Sequence, residues 1–421
     1  MFNAQVRLVF TCERSLRSWK EAMRRANFFV AATALGVALW SSGAPSVLYP
    51  LYVDAWGLSP ATITAVFATY PLALIAALLV FGNLSDAVGR RVVMMWGIAL
   101  IAGSATLFAL APNVGLLFAG RVLQGAGSGL AIGAAGAALV EHNPSTHPRY
   151  ASASAAVATS TGLTAALVAA GALVQYAPFP LVVSYVLLLV LSLGTLVALA
   201  MLGGDRPVSA PRWRPAHVRL VPELRLPFAA ATLSVSLAYC VGAIFLSIGA
   251  LMIRQFSPQS NVFTTGLILG SSSAAIGITA LMSARLRTHI AVYTGAVLTL
   301  ISLAVMAIVS VGGSLAVFLV WCVIGGAGYS CAFTGGLGLI NDRAPIEHRG
   351  ATMSLLYLVV YVLQAGTALG IGAVAASWGL TIAVFIAAAA LTVMTGTVVA
   401  LTWQTQRRSE RIAHSYHAEP T

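Results

Sequence analysis

Arg121 is a permanent charge placed inside an apolar run, in the stretch Gly120-Arg121-Val122-Leu123-Gln124-Gly125-Ala126-Gly127-Ser128-Gly129. A guanidinium keeps its charge at any physiological pH, and a charge within such a run faces a protein interior or a water-filled cavity. There it can bind an anion or organise polar neighbours, with Gln124 one helical turn away. Placed about two turns into its run, it is also within snorkelling reach of the run's end. A second cluster, Gly82-Asn83-Leu84-Ser85-Asp86-Ala87-Val88-Gly89-Arg90-Arg91, joins two apolar runs. Gly82 permits close helix approach and Gly89 a tight turn, while Asp86 offers a carboxylate to arginines or helix N-termini, a contact that can latch one conformation.

The acids and histidines limit what else the chain can do. Eleven carboxylates and seven histidines all lie in loops, in tails or at the ends of apolar runs. A proton relay normally uses Asp, Glu or His within the membrane, so proton coupling would fall to Asp54, Asp86 or Glu141. No Ser/His dyad, HExxH, paired carboxylates or Walker sequence lies in or beside the runs, which argues against an enzyme. Four cysteines (Cys12, Cys240, Cys322, Cys331) show neither a CxxC pair nor metal-ligand spacing. We expect no disulfide, no metal and no cofactor.

These residues are carried by an unusual chain. Of 421 residues, 59% are hydrophobic and 8% charged, with a mean hydropathy of +0.90. Soluble domains carry about 25% charged residues, so a soluble reading is excluded, and with it nucleic-acid binding as the meaning of the +12 net charge. Apolar windows place twelve spans near 28–50, 60–81, 92–110, 115–140, 150–174 and 180–202, then 226–252, 262–283, 290–312, 314–340, 351–374 and 379–402. Pro45 and Pro71 are expected to interrupt the first two. With the N-terminus inside, every Lys and Arg except Arg121 and Arg254 falls on the cytoplasmic side, which predicts two cytoplasmic termini.

The organisation follows: a cytoplasmic segment 1–27, a six-span half 28–202, a Pro- and Arg-rich cytoplasmic linker 203–225, a second half 226–402 and a tail 403–421. The first segment reads either as an interfacial amphipathic helix or as an extension ahead of Met23. An offset of about 200 residues lays Gly125, Gly136, Leu139 and Arg149 on Gly325, Gly336, Leu339 and Arg349. Two related halves place a working site at their interface, near the bilayer midplane.

The loop Gly82–Arg91 resembles the G-x-L-x-D-[RK]-x-G-R-[RK] motif of the major facilitator superfamily, with Ala87 where the family has a base, and Arg121–Gly127 is similar to its R-x-x-Q-G-x-G motif. The resemblance implies an all-α membrane protein: twelve transmembrane helices in two pseudo-symmetric six-helix halves around a central cavity. By the same resemblance, Gly82, Asp86, Gly89, Arg90 and Arg91 form a conformational latch for the outward-facing state. Arg121, Gln124 and Gly125 belong to the cavity or the coupling machinery. Trp40, Ser41, Tyr239, Tyr329, Tyr361 and Gln364 are candidates for the substrate cavity. The family's exporters carry G-x3-G-P-x2-G-G in the fifth span; here only Gly162 and Gly171 of that pattern remain. The implied activity is secondary transport by alternating access, as proton-coupled efflux of small amphipathic organic compounds, or as import or exchange of a small organic anion held by Arg121. The Arg-rich, Lys-poor composition suggests the inner membrane of a bacterium, and a chain containing both halves suggests a monomer.

Overall fold

The computed structural model describes residues 2–417 except 83, 148, 203–223, 258–259, 284, 313 and 344–345. Among these the chain is helical throughout: α1 (Phe2–Trp56), α2 (Pro60–Phe81), α3 (Leu84–Val88), α4 (Arg90–Ala109), α5 (Val114–Glu141), α6 (Arg149–Tyr176) and α7 (Pro180–Met201). There follow α8 (Arg225–Ser247), α9 (Gly249–Phe256), α10 (Val262–Ser283), α11 (Thr288–Gly312), α12 (Leu315–Asn341), α13 (Ile346–Trp378) and α14 (Leu380–His417). Twelve of these helices are long and apolar enough to cross a bilayer, so the two ends of the described chain share one face, called here the terminus face. The opposite is the far face.

The spans extend past the sequence-based limits at several ends. The first span and the segment before it form one continuous helix that reaches Trp56, and the last helix runs on to His417. Pro45 and Pro71 do not interrupt their helices, and Pro50 also lies inside α1. A proline removes one backbone donor and leaves the carbonyl four residues earlier unpaired, which a neighbouring helix can satisfy in its place. Most of the expected linker 203–225, and the side chains of Arg149 and Arg349, lie outside what the structure describes.

The repeat is visible in the helix limits: α5 (Val114–Glu141) corresponds to α12 (Leu315–Asn341), α2 (Pro60–Phe81) to α10 (Val262–Ser283), and Trp56 at the end of α1 to Phe256 at the end of α9. Leu139 and Leu339, one repeat apart, are both buried.

The buried side chains separate into layers. Toward the far face one continuous core takes residues from both halves of the chain, with Tyr49, Tyr52, Phe67 and Leu167 packed in the same cluster as Ile244, Phe245, Leu269 and Ile371. Toward the terminus face there are two cores. One contains only first-half residues such as Phe28, Val93 and Leu139; the other contains only second-half residues such as Leu224, Leu339 and Val360. The apolar core is therefore continuous between the halves at the far face, whereas toward the terminus face they share only a smaller cluster in which Tyr70, Leu74 and Leu78 meet Tyr357 and Tyr361.

Helices in hydrocarbon gain no hydrophobic energy from meeting one another, so close backbone approach must provide the contact. The two glycines retained in the fifth span serve this. A Cβ on Gly162 would lie 2.2 Å from the Gly36 carbonyl of α1, and one on Gly171 would lie 2.9 Å from the Val262 carbonyl and 3.1 Å from Gly266 of α10. Further along the same seam, a Cβ on Gly270 would meet Val168 at 2.9 Å and one on Gly277 would meet Ser160 at 2.1 Å. The Gly162→Ala variant is expected to lose about 1–3 kcal/mol through overpacking. Gly194→Ala, where a Cβ meets nothing within 4 Å, should leave thermal unfolding in detergent unchanged or raise its midpoint.

A caged arginine, a tyrosine layer and the far-face ion pair

The α5 helix is drawn into its neighbours by its own glycines. A Cβ on Gly125 would lie 2.3 Å from the Tyr70 carbonyl, one on Gly129 2.9 Å from the Leu74 carbonyl, and one on Gly127 2.6 Å from the Gly97 carbonyl. Thus α2 and α4 both press onto α5, and aromatic side chains reach Arg121. Its guanidinium carbon lies 5.6 Å from the Tyr49 ring centroid and 6.0 Å from those of Tyr70 and Phe108, within range of the attraction between a cation and an aromatic face.

Arg121 is fully buried. It donates through Nη1 to Gln124 Oε1 at 2.8 Å and through Nη2 to the Tyr49 hydroxyl. Gln124 in turn donates through Nε2 to the Ser41 carbonyl. That carbonyl is the one Pro45 leaves without a helical donor, so Gln124 fills a vacancy made by a proline in another helix. Arg121 Nε has no hydrogen-bond partner, and no carboxylate forms an ion pair with this arginine among the described residues. Burial excludes the snorkelling alternative.

Ser41 thus contributes a backbone carbonyl, while its hydroxyl donates to the Ala38 carbonyl at 2.7 Å. Trp40 is partly buried against the first-half core. Of the remaining cavity candidates, the three tyrosines meet one another. Tyr239 stacks on Tyr329 with centroids 5.9 Å apart and meets Tyr361 edge-on at 5.2 Å, and Tyr357 lies 6.2 Å from Tyr361. Tyr70 and Leu74 of α2 pack with Tyr361 of α13, so this layer joins the two halves. Gln364 is 8% exposed and its Oε1 is unpaired.

At the Gly82–Arg91 loop, Gly89 has a φ of +102°, the turn expected of it. Gly82 differs from expectation: it is exposed, and a Cβ there would meet only the Leu78 carbonyl of its own helix, so it mediates no helix approach. Arg90 pairs with Asp86, donates to Ser85 Oγ at 2.6 Å and lies 3.6 Å from Glu141, while Arg91 donates to the carbonyls of Leu199 at 2.6 Å and Ala200 at 2.7 Å. All these partners belong to the first half.

The far face has its own ion pair. Arg254 of α9 donates through both Nη atoms to the two Asp54 oxygens at 2.7 Å, and also to the Pro50 carbonyl at 2.9 Å. The two residues are 200 positions apart, the spacing of the repeat, so equivalent points of the two halves are tied together. Beside them, Gln175 Oε1 accepts from the Val262 amide at 3.1 Å and Tyr176 meets Phe263 at 5.8 Å. The sequence reading passed over this pairing, as it did Tyr49 and Phe108. The 200-residue offset and the spacing of Ser41, Pro45 and Tyr49 at successive fours were the available signals.

Two consequences can be measured. Removal of the ion pair by Arg254→Ala should raise labelling of a cysteine introduced at buried Ser46, in a background without native cysteines, by a membrane-impermeant maleimide added at the far face. Replacement of Arg121 by Met removes a charge held by neutral partners, so the thermal midpoint should change little. Solute transport should fall at least about tenfold, the equivalent of one charge-assisted contact.

Comparison with known proteins agrees with this architecture. The sequence model of the Major Facilitator Superfamily matches residues 31–365. Among solved structures, a bacterial homologue of the human lysosomal transporter Spinster, in an inward-facing and unoccupied conformation, superposes with a TM-score of 0.70 at 13% identity, covering 91% of this chain and 97% of that one. The nucleoside transporter NupG superposes with a TM-score of 0.72 at 13% identity, covering 90% and 99%. A triacylglyceride transporter of Mycolicibacterium hassiacum is 40% identical over 67 residues, which is 16% of this chain and 12% of that protein's length. With a family match over most of its length and a twelve-helix fold, the chain is a multi-pass membrane transporter and belongs to the Major Facilitator Superfamily.

Proposed function

We propose that this transporter exports small amphipathic organic compounds across the inner membrane of a bacterium by alternating access, driven by protons. The observation that carries the cargo class is the tyrosine layer: Tyr70, Tyr239, Tyr329 and Tyr361 meet at the junction of the halves, where the two terminus-side cores begin to part. Aromatic walls with few polar groups suit amphipathic molecules. Of the proteins this chain resembles, one is a nucleoside transporter and one a triacylglyceride transporter; the tyrosine layer fits the apolar end of that range.

The concentration of Lys and Arg toward the terminus face supports cytoplasmic termini, and in that orientation the continuous far-face core supports an inward-facing state. The latch attributed to Asp86 and Arg90 is then disengaged, consistent with its first-half partners. Proton coupling would fall to Asp54, Asp86 or Glu141, of which Asp54 is the one that binds across to the second half, at Arg254. Each chain, with both halves, works as a monomer.

A second reading, import or exchange of an organic anion, is favoured by one feature: Arg121 is a buried cation whose partners are all neutral. Purified protein in liposomes with an internal pH dye separates the two. Proton movement dependent on neutral or cationic amphipathic compounds is the expected result. Flux of organic anions without proton movement, abolished in Arg121→Ala, would replace the first reading with the second.

A further inference from the structure

A cleft of about 320 Å³ opens on the terminus face, away from the junction of the halves, between the start of α11, the end of α12 and the turn of α14 from Thr402 to Gln406. Its walls include Arg287, His289, Asp342, Arg343 and Gln406. Close packing forms it: a Cβ on Gly338 would lie 2.8 Å from Thr288, so α11 begins directly against α12 and brings residues 287 and 343 to the same opening. The single acid is engaged, since the Thr288 hydroxyl donates to Asp342 Oδ2 at 2.7 Å. Among the described lining residues two guanidinium groups stand with one carboxylate. Arg287 is exposed, and its guanidinium makes no hydrogen bond or ion pair among the described residues.

The level of the cleft in the membrane is marked by α14. Trp403 is 48% exposed and carries the Arg407 guanidinium 3.7 Å above its ring, an aromatic and a cation of the kind that gather at the boundary between hydrocarbon and headgroups. Thr402 and Gln406, on either side of Trp403, line the cleft. On α11, Ile290 and Val297 are exposed on the adjoining surface, so apolar flanks run from the cleft into the bilayer.

We propose that this cleft is a binding site for a phosphate-ester anion, held by Arg287 and Arg343 with His289 as a further donor. Basic pockets between helices at the cytoplasmic headgroup level hold anionic lipid headgroups in this way. The same phosphate chemistry could arrive on a soluble molecule, so the test distinguishes the two sources. Full-length protein in neutral detergent would be incubated with phosphatidylglycerol, with phosphatidylcholine, or with glycerol 3-phosphate, and bound ligand counted by native mass spectrometry.

Retention of phosphatidylglycerol over phosphatidylcholine is expected, falling about fivefold for Arg287→Gln and further for Arg287→Gln with Arg343→Gln. Arg287 is exposed, so the single variant remains informative if the double variant does not fold. Binding of glycerol 3-phosphate with the same loss in the variants would support the site and identify its ligand as soluble. Equal retention of the two lipids without binding of glycerol 3-phosphate, or retention of phosphatidylglycerol or glycerol 3-phosphate unaffected by Arg287→Gln, would overturn the proposal.

Discussion

Lipid tails are as apolar as leucine, so nothing in the bilayer pushes two helices together, and what holds this fold is backbone approaching backbone across missing side chains. Gly162 against Gly36, Gly171 against Gly266, and Gly125 against the Tyr70 carbonyl are all places where a single methyl group would not fit. The same contacts set the function-bearing geometry. If α2 stood one side chain further from α5, the Tyr70 ring would lose its place beside Arg121. If α6 stood further from α10, the halves would lack the seam that runs from Gly171 down to Ser160.

The two faces are built on different principles. At the far face one apolar core spans both halves and an ion pair links repeat-related positions. Toward the terminus face each half keeps its own core, and the charged loop from Asp86 to Arg91 bonds only within the first half among the described residues. A carrier that alternates must close one face with contacts weak enough to release. Asp54 and Arg254 suit that requirement because their side chains are 59% and 50% exposed. An exposed pair contributes little to stability, but it fixes the register in which the halves meet.

Arg121 is arranged differently. A buried charge without a counter-ion is a net cost unless hydrogen bonds and aromatic faces offset it. Here the offset comes from Gln124, Tyr49 and three rings, leaving Nε unpaired. Packing alone would be served as well by an apolar residue. The guanidinium stands between the tyrosine layer and the far-face core, held there by neutral partners alone among the described residues.

Much of this was legible in the sequence because it depends on composition and spacing along one helix. Twelve apolar runs, the asymmetry of Lys and Arg, the turn at Gly89 and the isolation of Arg121 each follow from local physics: hydrocarbon thickness, the cost of moving charge across it, the freedom of a residue without Cβ. The 200-residue offset was also readable, though its consequence at Asp54 and Arg254 was not, since an exposed pair leaves no trace in hydropathy. What only the tertiary structure decided was which groups meet across helices. Ser41 was read as a cavity candidate, and its carbonyl, freed by Pro45, accepts from Gln124; Gly82 was read as a contact point and faces only its own helix; Pro45 and Pro71 were read as interruptions and lie within helices. Each depends on what a neighbouring helix supplies, and a one-dimensional pattern cannot say which neighbour that is.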